Sequence, residues 1–141
     1  MCEDPVFVNT LPYSFSGSTD SYPFLDPGTG ALDCFEDLVT EQTAGVWFEY
    51  LGRNSCIHLS TNGSALDTIL VVYEGDCSGL NCILGNDDAS PNLESELLLF
   101  TEQDKRYRIL VGNSVFQGRG NFTLNITVGA RFANEPMPKS A

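Results

Sequence analysis

The stretch Asn62–Asp88, NGSALDTILVVYEGDCSGLNCILGNDD, decides how the chain is read. Ile69-Leu70-Val71-Val72-Tyr73 is an unbroken apolar and largely β-branched run between Asp67 and Glu74-Gly75-Asp76, which suits a strand covered on both faces. Cys77 and Cys82 then bracket Ser78-Gly79-Leu80-Asn81, a second short strand follows, and Asn86-Asp87-Asp88 ends the stretch with side chains that favour turns. Asp67 stands at one end and Asp87 with Asp88 at the other, so the place where they would meet is the first candidate site.

On both sides of this stretch the chain reads as short strands separated by turn signals. Before it come weak patterns at Val6-Phe7-Val8 and Tyr13-Ser14-Phe15, then 46–51 ending at Gly52-Arg53-Asn54, then 56–60 ending at Asn62-Gly63. After it come 96–100, 107–111 and 122–128. With no helix of three turns anywhere, this spacing predicts an antiparallel sandwich. The last strand alternates most cleanly: Phe122, Leu124, Ile126 and Val128 should face the core, and Asn121, Thr123, Asn125 and Thr127 the solvent. Residues 17–45 are rich in Gly, Pro, Ser, Thr and acid and predict a long loop, with a short turn of helix at 34–39. One domain is expected over residues 1–130, with 131–141 a tail or linker.

The formal net charge is −12, and Arg53 is the only cation before Lys105. That balance excludes nucleic acid as a partner, because phosphate neutralisation needs clustered Lys and Arg, and it permits cations, basic partners and neutral glycans. No apolar run approaches the length of a membrane helix. Cys2-Glu3-Asp4-Pro5 follows Met1 directly, so a leader is expected to have been removed and Met1 added. The five cysteines lack the paired spacings of a zinc site, and His58 is the sole histidine; disulfides in an oxidising, extracellular compartment are the better reading. Cys2 with Cys34 and Cys77 with Cys82 are the expected pairs, which leaves Cys56 as an inert thiol or an intermolecular link.

Asn62-Gly-Ser64, Asn121-Phe-Thr123 and Asn125-Ile-Thr127 are N-glycosylation acceptors in reachable positions. Asp67, Asp76, Asp87, Asp88 and Glu94 lie in turns and offer the hard oxygens that calcium takes, but no dedicated calcium loop is present. Asp67, Asp87 and Asp88 therefore read in two ways, as loop-fixing acceptors of backbone N–H groups or as ligands of a metal ion. Catalytic patterns are missing: there is no G-x-S-x-G elbow, P-loop or H-E-x-x-H, and His58 lies mid-strand between Ile57 and Leu59. Trp47, Phe48, Tyr50, Tyr73, Phe100, Tyr107 and Phe122 are expected in the core. Tyr13, Phe15, Tyr22, Phe24 and Phe35, in or beside the long acidic loop, are candidates for stacking on sugars or docking a protein.

The run A-L-D-T-I-L-V-V-Y-E-G-D-C-S-G-L-N-C-I-L-G-N-D-D resembles the signature of bacterial pre-peptidase C-terminal type domains and their secreted relatives. The flanks at Cys2, Cys34, Val46-Trp47-Phe48, Tyr107 to Gly112 and Gly120 to Leu124 agree with it, so the resemblance covers nearly all of residues 2–128. It implies a jelly-roll β-sandwich of about eight strands that serves as a non-catalytic part of larger secreted or surface proteins. Some relatives bind calcium, and some bind collagen or polysaccharide. A further cysteine pair common among relatives is missing here, which supports Cys2–Cys34 and Cys77–Cys82 as the two bonds. The expected function is a non-catalytic binding or assembly module recognising a glycan, a matrix polymer or a protein, with no required cofactor. A calcium-dependent lectin-like domain is the first rival and a small hydrolase the second.

Overall fold

A computed structural model describes residues 2–20, 43–62, 68–86, 95–113 and 120–129. Nine strands form in the order β1 (Val6–Val8), β2 (Tyr13–Ser18), β3 (Gly45–Leu51), β4 (Ser55–Ser60), β5 (Thr68–Glu74), β6 (Asn81–Asn86), β7 (Glu96–Thr101), β8 (Arg106–Asn113) and β9 (Asn121–Val128). They make two sheets, β1-β3-β8-β5-β6 and β2-β9-β4-β7. Leaving β1 aside, β2–β9 counted as strands one to eight give sheets ordered 2-7-4-5 and 1-8-3-6, the winding of a jelly roll. The expected all-β sandwich is therefore present, with β1 as an added edge strand that runs parallel to β3 rather than antiparallel.

Strand alternation builds the core. Val46, Phe48 and Tyr50 of β3, Leu70 and Val72 of β5, and Tyr107, Ile109 and Val111 of β8 face Ile57, Leu59, Leu97, Leu99, Phe122, Leu124 and Ile126 of the other sheet. Phe48 is fully buried, and the rings of Tyr13 and Phe15 form T-shaped pairs with it, ring centroids 6.4 and 5.1 Å away. Both rings, expected as free for a ligand, instead close the core at the β2 edge.

The opposite face of the five-stranded sheet is buried too. Trp47, Ile69, Val71, Tyr73 and Leu110 form a second apolar cluster with Cys2 and Leu80. Every residue of β5 from Thr68 to Tyr73 is buried, as its unbroken apolar run requires.

That second cluster explains a correction to the cysteine pairing. Cys2 is bonded to Cys77, not to Cys34, and Cys77 is not bonded to Cys82. The amino-terminal segment crosses the outer face of the sheet, where the Arg108 guanidinium donates to the Cys2 carbonyl at 2.8 Å. This brings Cys2 to the β5–β6 turn. Cys82 lies in β6 opposite Tyr73, just before a register shift, and is also disulfide-bonded. Cys34 lies outside the described residues. Cys56 is not in a disulfide.

Two further expectations fail at strand ends and edges. Val128 is 64% exposed where β9 has run past its last pairing with β2, Tyr13 opposite Ile126, and Phe100, with 43% exposed, points outward from edge strand β7. The loop expected over 17–45 is shorter at both ends, since Gly17 and Ser18 belong to β2 and Gly45 to β3; its remainder at 21–42, with the helical turn expected at 34–39, and the tail at 131–141 fall outside the described residues.

The β5–β6 turn is set by Gly75 at φ +96°, where a side chain would meet the Gly79 carbonyl, and by Asp76, which accepts from the Ser78 hydroxyl and amide. The Ser78 hydroxyl, first among several donors, holds the Asp76 carboxyl below the usual carboxylate range. A depressed carboxylate favours the fold above its ordinary range, and that contribution fades as pH falls through it.

Two measurements check this arrangement. Peptide mapping without reduction should recover Cys2 linked to Cys77 and no Cys77–Cys82 peptide. Because the bond closes a loop of 75 residues, Cys2→Ala with Cys77→Ala should lower unfolding stability in urea by about 2–5 kcal/mol.

Candidate functional site

The two poles of the sandwich differ in kind. At one pole, tight turns join β3 to β4, β5 to β6 and β7 to β8. Gly52 N–H donates to the Lys105 carbonyl and Asp104 N–H to the Gly52 carbonyl, so two of these turns are fastened to each other. Asn54 and Asp104 take left-handed backbone angles there, as tight turns ask. Lys105 at this pole is ion-paired to Glu74 and Glu102.

At the other pole β2, β4, β6 and β8 end, and β3, β5, β7 and β9 begin. All four segments between strands that lie outside the described residues, 21–42, 63–67, 87–94 and 114–119, therefore leave from and return to this pole. By sequence they hold nine carboxylates and one arginine, a net −8 of the chain's −12.

The roots of these segments are held by buried side-chain hydrogen bonds. Thr61 Oγ1 accepts from the Ser95 amide at 2.7 Å and lies 2.7 Å from Thr68 Oγ1, which lies 3.1 Å from Ser95 Oγ. Ser95 Oγ in turn donates to the Thr68 carbonyl at 2.8 Å. Three roots, after β4, before β5 and before β7, thus meet in one hydroxyl cluster from which water is excluded. Asn113 Oδ1 accepts from the Ala44 amide at 2.7 Å and ties the end of β8 to the start of β3. Thr19 Oγ1 accepts from Gly120 N–H at 3.0 Å and ties the end of β2 to the start of β9. Of the seven buried polar residues among those described, only Thr101 lies away from this pole. Buried hydroxyls are tolerated because each finds a partner, and the fixed geometry is what they supply in return.

Asp67, Asp87 and Asp88, the expected metal ligands, lie outside the described residues. Their roots are described: Thr68 opens β5, Asn86 closes β6, and the two strands are antiparallel neighbours with Leu70 opposite Asn86. The segments carrying Asp67 and Asp87-Asp88 thus begin side by side.

The outer face of the four-stranded sheet is the other extended surface. Ser14, Asn125, Ser60 and Glu96 align across all four strands. Ser16, Gly17, Ser18, Asn121, Phe122 and Thr123 line a shallow open groove of about 440 Å³ where β2 meets β9. Of the expected acceptor sites, Asn62 is exposed in the turn after β4, Asn121 is exposed at the start of β9, and Asn125 is half-buried in its middle. His58 is a sheet-surface residue, as expected, and its Nε2 contacts a Glu96 carboxylate oxygen. No group of three or more His, Cys, Asp or Glu suited to a metal ion occurs among the described residues.

No family model and no curated protein matches the sequence. Solved structures do match the fold. The pre-peptidase C-terminal domain of a Bacillus anthracis collagenase aligns at TM-score 0.52 and 13% identity, over 88% of this chain and 95% of that one. A periplasmic inhibitor of g-type lysozyme from Aeromonas hydrophila aligns at 0.52 and 12%, over 89% and 96%. A surface-associated copper-binding protein of Methylomicrobium album BG8 aligns at 0.52 and 9%, over 89% and 98%. At these identities the likeness establishes a shared fold, including that of the family whose motif the sequence resembles.

The hydroxyl cluster predicts a specific cost. Thr61→Val keeps the shape but removes the oxygen that accepts from the Ser95 amide, and should lower unfolding stability by about 1–3 kcal/mol in urea titrations.

Proposed function

We propose that the chain is a non-catalytic binding module of the extracellular space or cell envelope, and that its acidic pole is the recognition end. The observation that carries this is the asymmetry of the sandwich: one pole is closed by mutually fastened turns, while every long connection leaves from the other. Loops held on a rigid scaffold are where β-sandwiches place recognition. A net charge of −8 on those connections favours a partner surface that is basic, on an extracellular protein or a matrix polymer, since complementary charge speeds encounter and selects partners. The non-catalytic reading is supported by the surroundings of the sole histidine: His58 lies on the outer sheet face against Glu96, in the sheet opposite the one that carries β5 and β6. The fold likewise serves an inhibitor of lysozyme, a protein whose work is to bind another protein.

The test is retention on immobilised collagen, neutral polysaccharides and basic proteins as ionic strength rises. Binding to a basic member of the panel should fall several-fold between about 0.05 and 0.5 M salt, and should weaken in Asp87→Asn with Asp88→Asn but not in Glu102→Gln at the closed pole. Retention on a neutral polysaccharide alone, insensitive to salt and to both variants, would count against the proposal.

A second reading has its own observation, the neighbouring roots of the Asp67 and Asp87-Asp88 segments. We propose calcium as the cation those carboxylates would share. Calcium in large excess over its Kd should raise Tm by several degrees relative to chelator, because a ligand of the folded state stabilises it. An unchanged Tm removes this reading and leaves the first intact.

A further inference from the structure

We propose that Cys56 and His58 form a two-ligand site for a soft monovalent metal ion, copper(I), on the outer face of the four-stranded sheet. Ile57 and Leu59 are fully buried, so strand alternation turns Cys56 and His58 to the same outer side, their Cβ atoms about 6.5–7 Å apart. The thiol sulfur and the Nδ1 nitrogen of this pair are the two donors the ion would take. Each side chain is partly exposed, which gives an ion access.

The imidazole is already oriented. Its Nε2 lies against the Glu96 carboxylate, and a ring N–H given to a carboxylate leaves Nδ1 as the basic nitrogen, the arrangement that ligating histidines commonly use. The surroundings suit a soft ion. Phe100 pairs across from Cys56 and Leu98 across from His58, and apolar neighbours disfavour the more strongly hydrated cupric state. Gly129 donates its N–H to the Cys56 carbonyl, and a Cβ there would lie 3.0 Å from the Cys56 Cβ and 2.9 Å from Leu98 Cδ1. Any larger residue at this position would press on Cys56 and on Leu98.

Ligand number selects the metal. Zinc asks for four ligands, and the described residues offer no cluster of three. A thiolate is soft and an imidazole borderline, a pair that suits copper(I), which accepts two-coordinate linear geometry. On binding, the thiol proton passes to solvent while sulfur–copper and nitrogen–copper bonds form; copper stays at +1 and no electron moves. The site uses none of the carboxylates of the long connections, so its fate and that of the recognition proposal are separable.

The experiment is anaerobic competition between the full, disulfide-intact chain and a chromogenic copper(I) chelator. One copper(I) per chain is expected. Cys56→Ser should abolish competition, and His58→Gln and Glu96→Ala should each weaken it by about 10–100-fold. An X-ray absorption spectrum should show one sulfur and one nitrogen, and an unchanged melting curve should confirm that each variant is folded. Equal affinity in Cys56→Ser, or in His58→Gln, would overturn the proposal, as would a first shell made only of sulfur.

Discussion

Burial of the five-stranded sheet on both faces is the constraint from which the remaining structure follows. An antiparallel sheet can leave one face to water, but β5 has no polar alternate between Thr68 and Tyr73, so neither of its faces can be exposed. One face is satisfied by the partner sheet. The other needs its own cover, and Trp47, Tyr73 and Leu110 there are packed with Cys2 and Leu80. The amino terminus is thereby recruited into the core, and the Cys2–Cys77 bond fixes it where loss of cover would cost most. Arg108, set in that face beside Glu49 at 3.3 Å, contributes less as a salt bridge than as the donor that holds the Cys2 carbonyl, because desolvation offsets much of the attraction of a buried ion pair.

The elements legible in the sequence are those whose signal is local. Alternation in Phe122-Thr123-Leu124-Asn125-Ile126 and the apolar run in Ile69–Tyr73 each specify a strand and its exposure, and β9 and β5 both agree with the pattern. What depends on the spatial neighbour was not legible. Cys77 and Cys82 are close in sequence, yet a hairpin turn and a register shift separate them in role, and the cysteine that reaches Cys77 lies 75 residues away. Phe100 and Val128 carry core-type side chains, but the edge of a sheet and the end of a strand offer nothing to cover them.

The hydroxyl cluster was missed for a different reason. Thr61, Thr68 and Ser95 are residues that turns and caps also prefer, so beside Asn62-Gly63 and Pro91-Asn92 they read as loop chemistry. In the fold they are fully buried, and their oxygens answer one another across β4, β5 and β7. A signal was present in the Thr immediately before the apolar run. A β-branched polar residue at the mouth of a two-sided strand can be buried only if its hydroxyl has a partner, so its neighbours in space must themselves be polar.

That placement separates the charge of the long connections from the groups that hold the strand ends. The charge carried by the long connections would repel itself and loosen any element built around it. The nine strands do not include those connections, and the strand ends beneath them are fastened by neutral hydroxyl and amide groups whose bonds do not change with pH or salt. The cations Lys105 and Arg106 stand at the far pole, where Lys105 is ion-paired to Glu74 and Glu102. A scaffold arranged in this way can change the sequence of its acidic connections while the clamped roots and the doubly buried sheet stay the same.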